Sequence, residues 1–134
     1  MFFALCEHHK SIGPFAITSD GQIIITQPFR SNICIYDFKT GEKIRDVIGH
    51  TGTVTSLKFF PDDKRFISVS NDKTLRVWNL ETGSEVAFFA SAVPFSCVDC
   101  SAGNKIVAGD VGGNVYILQL EEPQSTRALA FSII

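Results

Sequence analysis

Residues 49–90 read GHTGTVTSLKFFPDDKRFISVSNDKTLRVWNLETGSEVAFFA, and this stretch decides the fold. Val54 to Phe59 reads as a strand whose apolar residues are spaced three and then two apart, which implies a bulge. The turn Pro61-Asp62-Asp63 ends it, and Arg65 to Ser70 forms a second strand closed by Asn71-Asp72-Lys73. Thr74 to Leu80 is a third, with Leu75 and Val77 on one face and Arg76 and Trp78 on the other, because side chains alternate along a strand. Thr82-Gly83 turns the chain into a fourth strand, Glu85 to Phe89. β-Branched and aromatic residues fill the strands, and Gly, Pro, Asp and Asn fill the turns.

The same pattern recurs on either side. Sliding the chain by 42 residues lays Thr40-Gly41 on Thr82-Gly83, Tyr36-Asp37 on Trp78-Asn79 and Ser19-Asp20-Gly21 on Pro61-Asp62-Asp63. His8 falls on His50, and Ile12, Phe15 and Ile17 fall on Val54, Leu57 and Phe59. At a shift of 41, Phe95, Val98 and Cys100 match Val54, Leu57 and Phe59; at 40, Val115 and Ile117 match Leu75 and Val77. Three copies of a four-stranded unit, with no window holding a helical period, make the chain all-β.

The middle copy resembles the WD repeat: Gly49-His50 opens it, Ser70-x-Asp72 forms its turn, and Trp78-Asn79 stands for the usual Trp-Asp. The resemblance implies four-stranded antiparallel blades set radially around a channel, three in this chain, so the propeller is partial. The blades run roughly over 8–48, 49–90 and 91–134, with 1–6 as the outer strand of a preceding blade. The family's structural hydrogen-bond network maps onto His50, Ser70, Asp72 and Trp78. The flanking copies depart from it. In the first, Arg30 replaces the turn Asp, Pro28 the Ser and Tyr36 the Trp; in the third, Ser91, Gly112 and Leu118 take the His, Asp and Trp positions. The full network is therefore expected only in the middle blade, with apolar packing holding the outer two. The run 108–118, AGDVGGNVYIL, is similar to the last blades of large NACHT and WD-repeat signalling ATPases, although no Gly-x-x-x-x-Gly-Lys-Ser/Thr phosphate loop is present.

Because each blade buries both faces against neighbours, three blades leave two apolar faces open. The expected covers are further blades, from a longer chain or from a second copy that makes six. The 134 residues are 45% hydrophobic and 19% charged, enough apolar material for a core. Twelve Lys and Arg are scattered among 14 Asp and Glu, for a net charge of −2, and no basic stripe marks a nucleic-acid or anionic-membrane surface. The apolar runs fall short of the ~20 residues of a membrane helix. With no secretory pattern around Cys6, Cys34, Cys97 and Cys100, a cytoplasmic protein with free thiols is expected.

Catalytic and metal chemistry find little footing. Cys97-x-x-Cys100 lacks the second pair that a zinc site needs, and residues three apart on a strand face opposite ways. His8 and His50 hold the repeat's hydrogen-bonding position, and His9 lies in a loop. No carboxylate pair accompanies a nucleophile, and the glycines at 109, 112 and 113 precede no helix, so no catalytic residue, metal site or cofactor is assigned. The resemblance instead implies a non-catalytic scaffold holding a protein or peptide on the rim where inner strands begin and the second-to-third-strand turns lie. The middle-blade positions there are Thr53, Thr55 and Asn71, with Ser11, Gly13, Phe29 and Arg30 in the first blade and Pro94, Ser96 and Val111 in the third. This patch is nearly neutral and partly apolar, which suits a peptide better than phosphate or nucleic acid. A regulatory, autoinhibitory propeller segment of a larger signalling ATPase is the alternative. A propeller-type hydrolase is a further one.

Overall fold

The computed structural model describes residues 13–28, 32–121 and 130–133, the last four by their backbone. Within them lie three four-stranded antiparallel sheets in chain order, each strand bonded to the next. The first sheet holds β1 (Phe15–Ile17), β2 (Ile23–Thr26), β3 (Ile33–Asp37) and β4 (Lys43–Val47). The second holds β5 (Val54–Phe59), β6 (Arg65–Ser70), β7 (Thr74–Asn79) and β8 (Glu85–Ala90). The third holds β9 (Phe95–Ser101), β10 (Lys105–Asp110), β11 (Val115–Glu121) and β12 (Ala130–Ile133). Each sheet is one blade of a partial, unclosed propeller. The expected strand over 1–6 lies outside the described residues.

The bulge read from the spacing of Val54 and Leu57 is present. Val54 faces Ser70 while Ser56 faces Val69, so Thr55 is the extra residue of β5. The insertion turns both Val54 and Leu57 into the core, where they are buried. The tight turns repeat their backbone as well as their sequence. Gly41 and Gly83 have φ near 75° and 74°, and Lys73 and Gly113 share a left-handed turn position at 73° and 86°. The left-handed region disfavours a Cβ, which explains glycine at three of these four positions.

Each sheet uses its two faces differently. Ile25, Ile33, Ile35 and Val47 of the first sheet pack against Val54, Leu57, Phe66 and Trp78 of the second. On its other face the second sheet offers Ile67, Val69, Leu75 and Val77 to Phe95, Val98, Ile106, Ala108, Leu118 and Leu120 of the third. Full burial of each such aliphatic side chain stabilises by about 1.5–3 kcal/mol. Register then shows what the third sheet leaves open. The cross-strand pairs Ile25–Ile35, Ile67–Val77 and Val107–Ile117 occupy one position in the three sheets. The first two pairs are at most 1% exposed, whereas Val107 and Ile117 are each 48% exposed. At the opposite end Phe15 and Ile17, the counterparts of Leu57 and Phe59, are exposed too.

Candidate functional site

The polar centre of the second sheet is built across β6 and β7. His50 Nδ1 lies 2.7 Å from Asp72 Oδ2, and His50 Nε2 lies 2.5 Å from Ser68 Oγ. Trp78 Nε1–H donates to the same Ser68 Oγ at 2.8 Å. Asp72 also accepts from the Thr51 and Thr74 amides at 3.1 and 2.9 Å. The network therefore runs through Ser68, and the assignment of Ser70 to it is corrected. Ser70 Oγ instead donates to the Thr53 carbonyl at 2.9 Å and accepts from the Asp72 amide at 3.1 Å. The reason is reach: Phe66 pairs with Trp78, so Ser68 is its diagonal neighbour, and Ser70 lies two residues, roughly 6.6 Å, further along the strand.

Burial holds the His50 imidazole below its ordinary pKa, against the opposing pull of Asp72. It is neutral at pH 7, so Nδ1–H donates to Asp72 and Nε2 accepts the Ser68 hydroxyl proton. Burial alone would raise the Asp72 carboxyl, but hydrogen bonds from Thr74 and His50 outweigh it and hold the group low. Ser68, His50 and Asp72 thus stand in the order of a hydrolase triad. Ser68 is fully buried, however, and its oxygen already accepts the indole N–H. A hydroxyl with no access to substrate is a structural link.

The third sheet relies on apolar packing as expected, and adds a polar centre of its own that the expectation did not contain. Asp110, buried at the end of β10, accepts from the Gly112 and Asn114 amides at 2.9 and 3.0 Å, from Asn114 Nδ2 and from Tyr116 Oη at 2.8 Å. Ser91 Oγ stands 3.2 Å from Tyr116 Oη and 3.4 Å from Asp110 Oδ2. Burial works to raise the Asp110 carboxyl, but the Asn114, Tyr116 and Gly112 donors prevail and lower it. Asp110 occupies the position of Ser70, so the turn carboxylate has moved two residues back from the position of Asp72. The only sequence signal was an acidic residue amid the apolar alternation of β10. In the first sheet Gln27 does comparable work between sheets: its Oε1 accepts the Val54 amide at 2.7 Å.

The rim positions proposed for binding are brought together by backbone bonds that repeat. Asn71 N–H donates to the Thr53 carbonyl at 2.9 Å, and Val111 N–H donates to the Pro94 carbonyl at 2.9 Å. Each bond ties the start of an inner strand to the turn after the second strand. Thr55 Oγ1 reaches across to the Phe95 carbonyl at 2.9 Å, which sets the second and third rims side by side. Gly13 joins the first rim, where a Cβ would stand 2.2 Å from the Gln27 carbonyl oxygen. Thr53, Asn71, Ser96 and Val111 are exposed, and Gly13, Thr55 and Pro94 are half-buried. Ser11, Phe29 and Arg30, with His8 and His9, lie outside the described residues.

The thiols are divided by the pleat. Cys97 is exposed opposite Gly109, while Cys100 pairs with Ile106 on the packed face, and its thiol donates to the Phe59 carbonyl at 3.3 Å. Burial pushes Cys100 up to about 11. Among the described residues no three His, Cys, Asp or Glu side chains are grouped to hold a metal ion.

Residues 50–120, just over half of the chain, match the family model described as the TEP-1 C-terminal beta-propeller. WD repeat-containing protein 1 of Gallus gallus is 32% identical over 90 residues, 65% of this chain and 15% of that protein. Apoptotic protease-activating factor 1 of Rattus norvegicus is 29% identical over 121 residues, 87% of this chain and 9% of its own length. The chain thus spans a small part of these relatives. Among solved structures, the Cps50 (Swd1) beta-propeller domain of Myceliophteria thermophila superposes with a TM-score of 0.79 at 14% identity, covering 92% of this chain and 38% of that one. At that identity the likeness shows the fold.

Proposed function

The chain belongs to the TEP-1 C-terminal β-propeller family of WD-repeat proteins, and from that footing we propose that it is a non-catalytic interaction module which holds a protein or peptide partner on the rim where its inner strands begin, the upper rim. The observation that carries the reading is the repeated rim construction. Thr53–Asn71 and Pro94–Val111 are locked by the same backbone bond in adjacent sheets, and they present an exposed surface with no formal charge. Fixed backbone with small polar and apolar side chains suits an extended peptide, whose main chain needs donors and acceptors in place. None of Thr53, Asn71, Pro94 and Val111 carries a charge to match phosphate or nucleic acid. The proposed setting is the cytoplasm, in keeping with the free thiols of Cys34, Cys97 and Cys100.

The test is photo-crosslinking from a probe amino acid placed at Asn71, in cell extract, followed by identification of the adducts. A partner captured at Asn71, lost in the double variant T53A/V111D while the thermal melt stays unchanged, supports the module. Crosslinking no stronger than from a control site at Lys39 would sink it. A second reading, a regulatory segment within a larger signalling ATPase, is supported by the similarity to Apoptotic protease-activating factor 1 over most of the chain. Under that reading the partner captured at the rim is another domain of the same polypeptide.

A further inference from the structure

On the opposite rim the first two sheets are bonded across their seam by Ser19 with Asp63 and Arg45 with Thr82, yet a groove stays between them. Between the second and third, Arg65 on β6 fills the seam. Its Nη2 donates to Asn104 Oδ1 at 2.7 Å, and its guanidinium lies 4.8 Å from the centre of the Phe60 ring. At the seam between the first and second, the position of Arg65 is held by Ile23, which is too short to fill it, and a groove of about 460 Å³ remains. That volume lies within the roughly 300–1,000 Å³ of ligand-holding clefts. Ile23, Ile35, Ile44 and Leu80 give it an apolar lining.

The guanidinium at this seam enters from the other side. Arg45 on β4 pairs with Ile35 as Ala87 pairs with Val77, so an arginine replaces the small residue of the next seam. Its Nη1 donates to the Thr82 carbonyl at 3.1 Å, while its buried Nε finds no acceptor. Lys64 beside it has no carboxylate partner among the described residues. Of the two acids in the groove, Asp63 is already engaged, accepting from the Ser19 amide at 3.0 and 3.1 Å and from the Ser19 hydroxyl. Glu81 is exposed at the edge. The groove therefore offers an apolar floor, two cations and two carboxylates, with the Asp63 oxygens turned to Ser19 and the Arg45 Nε–H left without an acceptor.

We propose that this groove is a second docking site, distinct from the upper rim, for an extended peptide segment of a partner protein in which a Glu or Asp stands beside aliphatic residues. The aliphatic side chain covers Ile23 and Ile44, and the carboxylate meets the Arg45 guanidinium with Lys64 behind it. A planar guanidinium suits a carboxylate because it can present two parallel N–H groups. Glu81 disfavours a second acidic residue at the edge, which limits the acceptable segment to one carboxylate at that point.

The experiment is NMR titration of the whole chain with acetyl-Leu-Glu-Leu-amide and its isosteric twin acetyl-Leu-Gln-Leu-amide. The Glu peptide is expected to shift the Arg45 Nε–H signal and the Ile23 and Ile44 methyls, and to bind at least tenfold more tightly than the Gln peptide. Ile23→Arg puts a guanidinium in this seam, as Arg65 does in the next, and should abolish the shifts while the chain stays folded. Arg45→Gln should remove the preference for Glu over Gln, and Glu81→Gln should tighten the Glu peptide. Equal binding of the two peptides, no shift at Arg45 and the two isoleucines, or shifts that persist in Ile23→Arg would each overturn the proposal. So would a preference for Glu that survives Arg45→Gln.

Discussion

Ser68 Oγ accepts the indole N–H of Trp78 at 2.8 Å across the β6–β7 ladder, and the same oxygen meets His50 Nε2. One hydroxyl therefore satisfies two buried polar groups from two different segments. Ser68→Ala leaves both without a partner in a site that water cannot enter, and should cost roughly 2–3 kcal/mol. Ser70→Ala should cost about 1 kcal/mol, because the Thr53 carbonyl keeps its bond from the Asn71 amide and only the amide of the half-buried Asp72 loses its acceptor. Denaturant melts of the two variants check the order; a larger loss in Ser70→Ala would return the network to Ser70.

The pattern of what the sequence disclosed follows from what kind of signal carries each feature. Apolar alternation and turn residues located every strand of the second sheet within a residue, since each depends on local burial and backbone preference. Choosing Ser68 over Ser70 required the register between β6 and β7. Both serines lie on the same face, so alternation alone does not separate them. Asp110 was missed for a related reason: its donors come from the turn that follows and from Tyr116 on the next strand. The groove at Arg45 was hidden further still, because it arises from two substitutions at positions that touch only after the sheets pack.

The coupled ionisations of His50 and Asp72 give acid sensitivity a definite direction. His50 is depressed in the folded chain, so below the ordinary value of about 6.5 the unfolded chain binds a proton that the folded one refuses. Its contribution is thus lost as pH falls from about 6.5 toward its native value. Asp72, also depressed, adds stability above its ordinary value that disappears only as pH falls through its still lower native value. Urea melts between about pH 7.5 and 5 should show falling stability, and His50→Gln should flatten that segment while lowering overall stability. An unchanged slope in His50→Gln would mean that the imidazole does not set it.

In the third sheet, Tyr116→Phe removes a donor to Asp110 and a neighbour of Ser91, for an expected loss of about 1 kcal/mol. Asp110→Ala should be worse, because it strips the Gly112 and Asn114 amides of their acceptor together with Tyr116. Asp110→Asn keeps one acceptor oxygen and should fall between them. Melting temperatures in that order support a polar centre on Asp110; equal values for all three variants would leave apolar packing as the sheet's sole support.

The exposed pair Val107 and Ile117 separates an open blade face from a closed one most directly, because register makes it the counterpart of Ile67 and Val77. Ile67 is fully buried against the third sheet, so Ile67→Ala creates a cavity and should cost about 2–5 kcal/mol. Ile117→Ala trims a side chain that is half in water, and should change stability by no more than about 0.5 kcal/mol. The residue types are alike, so any difference comes from what covers them. Denaturation of the purified chain at several protein concentrations makes the comparison. If Ile117→Ala instead costs as much as Ile67→Ala, and the loss grows with concentration, the face is covered in solution by another copy.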